Sequence, residues 1–102
     1  MIASEEQRRA VDEAIGEFGA AVDRAARAHR DEADALQRWA ETRSDVALAM
    51  LTGAVDTATI VRHYADSQAL TEAERARVEA VDLVKRRHVD LLRACANLGD
   101  GE

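Results

Sequence analysis

Three features of this 102-residue chain predict an all-α fold. It contains no proline, it is rich in strong helix formers such as alanine, arginine, glutamate and leucine, and no stretch alternates apolar and polar residues long enough for a strand. The expected architecture is a three-helix antiparallel bundle or a long helical hairpin, self-associating, with residues 1–102 forming a single helical domain. Helix A is expected over about 4–41, helix B over about 45–69 and helix C over about 72–97, with 99–102 a frayed tail.

Helix A opens on a capping box. In Ser4-Glu5-Glu6-Gln7 the serine hydroxyl satisfies a free backbone N–H and Gln7 reaches back, while the two glutamates suit the positive end of the helix dipole. An apolar stripe then holds helical phase through Val11, Ile15, Phe18, Val22, Ala25, His29, Ala33, Leu36 and Ala40. Asp12, Asp23, Arg30 and Asp34 populate the opposite side.

The end of this helix is ambiguous from sequence. Ala47, Leu51, Ala54, Ala58, Val61, Ala65 and Ala69 continue the stripe, but one helix to residue 70 would run on the order of 100 Å and need a partner throughout. A break is therefore expected near 41–45, where Thr42 or Ser44 would cap a second helix, or at Gly53. Leu70-Thr71 reads as a turn, with Thr71-Glu72-Ala73-Glu74 as a second capping box. Helix C then carries Val78, Val81, Val84, His88, Leu91, Leu92 and Cys95 as its stripe, and Gly99 stands where a helix-ending glycine belongs.

Composition narrows function. Apolar residues make up 47% of the chain, enough for a packed core, and no apolar run approaches the ~20 residues of a membrane span. No basic start precedes an apolar stretch, so no secretory signal is read and a cytoplasmic location is expected. The net charge is −6 and the aromatics are Phe18, Trp39 and Tyr64 alone, which disfavours nucleic acid as a partner. Twenty-two alanines and thirteen arginines against a single lysine, Lys85, match a GC-rich bacterial coding sequence.

The stripe histidines are the most pointed chemical feature. Should His29 and His88 meet, with Glu32 one turn from the first and Cys95 two turns from the second, imidazole, carboxylate and thiolate could hold zinc or iron, or the imidazoles could bracket a haem. The spacing lacks Glu-x-x-His pairs, His-Glu-x-x-His and paired cysteines. Both histidines are expected to be core or interface residues, Cys95 a buried inert thiol, and no cofactor or metal is expected. His63 and Asp66 read as ordinary helix-surface decoration. No nucleophile elbow or phosphate loop exists, so no enzyme activity is expected.

Trp39 lies off the helix A stripe, together with Val46, Met50, Ile60 and Tyr64, and makes a second apolar face, expected either to be buried against helix C inside the bundle or to form an exposed groove for a partner or a second subunit. Trp39, Met50, Ile60 and Tyr64 are the expected partner-binding residues, because tryptophan and tyrosine are favoured interface anchors. Stripes so rich in alanine bury little area per residue, so self-association is expected to supply the rest. The expected function is a non-catalytic adaptor that pairs with itself and with another protein through apolar helix faces, a coiled-coil style of pairing in which surface charges set register.

A short acidic helical chain with a mid-chain tryptophan also resembles the Trp-x-Gly hairpin proteins exported by type VII secretion. That resemblance implies a paired helical hairpin. The chain departs from both motifs of that family: Trp39-Ala40-Glu41 lacks the glycine of Trp-x-Gly, and Tyr64 is followed four positions later by Gln68 where the family's Tyr-x3-Asp/Glu export signal has an acid.

Overall fold

The computed structural model describes residues 3–100. It contains two helices, α1 (Glu5–Thr52) and α2 (Thr57–Asp100), so the chain is a helical hairpin. The start of α1 follows the expected capping box: the Gln7 N–H donates to Ser4 Oγ at 3.1 Å, and the Ser4 N–H donates to Gln7 Oε1 at 2.8 Å.

The three-helix alternative is corrected at two places. Residues 41–45 lie inside α1, where the Thr42 hydroxyl reaches the Arg38 and Trp39 carbonyls of its own helix at 3.2 Å instead of capping a new one. Leu70-Thr71 lies inside α2, and Thr71 Oγ1 likewise donates to the Ser67 carbonyl at 3.1 Å. Both threonines carry a capping signature that is equally satisfied within a helix. Gly99 does not end α2, which continues to Asp100; residues 101–102 of the expected tail lie outside the described residues.

The turn falls at the Gly53 alternative. Gly53 has φ 73°, the left-handed region that a Cβ disfavours. The Ala54 N–H donates to the Ala49 carbonyl at 2.9 Å and the Gly53 N–H to Met50 at 3.4 Å, which closes α1 with a Schellman motif. Asp56 then caps α2, accepting the Thr59 N–H on Oδ1 at 2.7 Å.

The chain divides into two units. One comprises Met1–Ala26 with Val78–Glu102, the other Arg27–Arg77. In the first, Ala14, Ala21 and Ala80 are buried, with Ala80 only 1% exposed. Around them Val11, Phe18, Val84, Leu91 and Leu98 are half-buried, and Gln7 Nε2 donates to the Asn97 carbonyl at 3.0 Å. Phe18 lies against His88 with ring centroids 5.8 Å apart. In the second unit, Ala28, Ala35 and Thr42 are buried, and half-buried Trp39, Val46, His63, Leu70 and Ala73 pack around them.

The buried positions of α1 recur every seven residues: Ala14, Ala21, Ala28, Ala35 and Thr42. Small side chains admit the partner backbone, and a seven-residue recurrence keeps them facing it. This corrects the expected stripes. Ile15 (53% exposed), Val22 and Leu36 on α1, and Val78, Leu92 and Cys95 on α2, lie outside the contact between the helices. The larger residues follow the 3.6-residue period but flank the alanine row that the partner helix covers.

Candidate functional site

The unit spanning Arg27–Arg77 holds all four residues expected to bind a partner. Trp39 differs from the other three. Its indole N–H donates to Ser67 Oγ at 3.1 Å, its ring tilts against His63 at 5.8 Å between centroids, and the Arg43 guanidinium carbon stands 5.4 Å from the ring centroid. The Ser67 hydroxyl in turn donates to the His63 carbonyl at 2.9 Å, so the acceptor is held by its own helix. Trp39 is thus engaged within its unit, while Met50, Ile60 and Tyr64 are exposed.

Thr42 and His63 extend this polar contact. Thr42 Oγ1 lies 3.0 Å from His63 Nδ1 as well as 3.2 Å from the two α1 carbonyls. The hydroxyl has one proton, so donation to a carbonyl leaves its oxygen free to accept from Nδ1–H. Farther from the turn in the same unit, Arg77 Nε donates to Glu32 Oε2 at 2.6 Å. This hydrogen bond, and then the Glu32 charge, raise the Arg77 pKa above its ordinary value.

At the turn end of the unit the apolar side chains lose their cover. Leu48, Met50, Leu51, Val55, Ile60, Val61 and Tyr64 are all exposed, Leu51 by 86%. Leu51 and Val61, which hold the phase of the expected apolar stripe, are among them, and Leu48 and Val55 join them from outside that stripe. The available signal was Gly53: residues next to a turn between two helices have no helix beyond it to pack against. Asp56 sits among them, its pKa held below the ordinary carboxylate value first by the Thr59 backbone N–H and then by the Thr59 hydroxyl.

The other chemical candidates are dispersed. His29 is exposed in the Arg27–Arg77 unit, where Glu32 is committed to Arg77. His88 belongs to the other unit and packs on Phe18, and Cys95 is exposed where a buried thiol was expected. Among the described residues no three His, Cys, Asp or Glu side chains gather as metal ligands do. Nor, among them, is any helix long and apolar enough to cross a membrane.

No known family matches the chain, and no curated protein or solved structure is similar to it. Trp39 lies within α1, ahead of the turn at Gly53, and not in the turn between the helices where the Trp-x-Gly resemblance would set it.

Proposed function

We propose that this chain is a small non-catalytic interaction module that pairs with itself and binds another protein through apolar helix faces. One observation carries the reading. Seven large apolar side chains between Leu48 and Tyr64 are exposed within one unit, a concentration that a protein without a partner there would hold in water at a cost. Met50, Ile60, Tyr64 and their neighbours offer the contact area, and Trp39, engaged with Ser67 and His63, holds the two helices together in the same unit.

The test is site-specific photo-crosslinking in the native host from position 51. A single adduct is expected, lost when Ile60→Asp or Tyr64→Ala is added while helicity is unchanged. Adducts that are unaffected by both changes, or no adduct at all, would remove this face as the binding surface.

A further inference from the structure

Inside the Arg27–Arg77 unit the contact between α1 and α2 runs on a single heptad count. On α1, Ala28, Ala35 and Thr42 are buried and Ala49 is half-buried; on α2, His63, Leu70 and Arg77 are half-buried. Ala49 and His63 stand two heptads apart, so the count passes through the turn without a skip. The contact is also centred on the turn: Trp39 and Ser67, which hydrogen-bond, stand fourteen residues on either side of Gly53. The stretch of the unit poorest in charge is centred there too, since Asp56 is the one charged residue between Asp45 and Arg62.

In this unit α1 and α2 complement each other and not themselves. Glu32 takes Arg77, Trp39 takes Ser67 and Thr42 takes His63. Two α1 helices laid together would bring Glu32, Trp39 and Thr42 without those mates. The complement of an α1 is therefore an α2, and a second copy of the chain supplies an identical one. The turn offers little resistance to such an exchange. Residues 53–56 alone separate the helices and include no proline, and glycine adopts helical φ as readily as the 73° it has here. A helix carried through them would keep the two heptad rows in line.

We infer that the chain self-associates by exchanging α2. Two copies lie antiparallel, each helix running on through Gly53, and α1 of one copy takes up α2 of the other with the contacts it makes in the hairpin. The two-fold axis then passes at Gly53, where the missing side chain lets the two backbones approach. The Asp45–Arg62 stretch of one copy meets that of the other, apolar against apolar. Asp56 exchanges its cap for the bonds of a continuous helix.

This inference rests on the self-pairing in the proposed function and is independent of the other protein bound there. Sedimentation equilibrium of the full chain at about 100 µM is expected to show a dimer. Gly53→Ala penalises the left-handed turn and not a continuous helix, and is expected to lower the dimer dissociation constant at least about tenfold. The decisive arm mixes two variants. Glu32→Arg and Arg77→Glu each set like charges together in every hairpin and at both contacts of an exchanged dimer. Refolded together from urea under reducing conditions, they form a mixed dimer with one native Glu32–Arg77 pair and one reversed pair. Native mass spectrometry is expected to find the mixed dimer well above the statistical half of all dimers, and the mixture should melt above either variant alone. A parent chain that stays monomeric would overturn the inference, as would a dimer that Gly53→Ala does not tighten. A dimer whose mixed form stays at the statistical half pairs without exchange and would overturn it as well. In each case the Leu48–Tyr64 surface still stands or falls by its own crosslinking test.

Discussion

The Trp39 indole N–H and the Ser67 hydroxyl join α1 to α2 at 3.1 Å, and Ser67 is itself anchored to the His63 carbonyl one turn earlier. This is the principal directional contact at the largest side chain of the chain, in a unit whose buried residues are otherwise small.

Removing the acceptor tests that contact. Ser67→Ala is expected to cost ~1 kcal/mol in urea unfolding, the usual net worth of one hydrogen bond. Trp39→Phe should cost more, since ring area and the His63 contact shrink as well. In a double-mutant cycle the two losses should be less than additive.

The seven-residue burial row makes a sharper demand. Ala35→Leu or Ala80→Leu, at positions 2% and 1% exposed, is expected to destabilise by about 1–3 kcal/mol through overpacking. Ala20→Leu, on an exposed face of the same helix as Ala35, is expected to stay within about 0.5 kcal/mol of the parent. Equal effects at positions 20 and 35 would contradict the assigned row.

Glycines at two kinds of position should respond with opposite sign. Gly53→Ala forces a Cβ into left-handed backbone and is expected to cost about 1–2 kcal/mol by thermal unfolding. Gly16→Ala lies inside α1, where an added Cβ meets nothing within 4 Å, and is expected to stabilise by roughly 0.5–1 kcal/mol.

The Asp56 cap predicts a pH dependence. Its folded pKa lies below the unfolded value because the Thr59 N–H and hydroxyl favour the carboxylate. The stability this contributes is therefore fully present above the ordinary carboxylate pKa and is lost as pH falls through the lowered folded value. Melting temperatures of the parent and of Asp56→Ala should differ most near neutrality and converge in acid. A gap that persists at pH 2 would assign the cap's worth to something other than the charge.

Local signals were legible in the sequence. Ser4 and Gln7 form their reciprocal cap because both partners lie within one turn, and Gly53 stood among the two expected break points. The break at Thr42 and the turn at Leu70-Thr71 were misread because a threonine hydroxyl satisfies a backbone carbonyl in mid-helix as readily as it caps a helix end. The core row was displaced for a different reason. Periodicity ranks residues by hydrophobicity, which favours Ile15, Val22 and Leu36, whereas contact between two helix backbones favours the alanines beside them. Burial at that contact depends on the partner helix, whose register no single-helix pattern contains. Among the expected binding residues, Met50, Ile60 and Tyr64 are exposed and the indole of Trp39 donates to Ser67.

The alanine row also governs how such a chain could change in length. The buried positions of α1 among the described residues are seven residues apart, so an insertion or deletion of one to six residues would turn the later alanines out of the row and set larger neighbours in their place, Ile15, Val22 and Leu36 for a deletion of one. A block of seven removed from each helix at facing positions would leave every remaining contact in phase. Length in this hairpin is therefore quantised, and the two helices can vary only together.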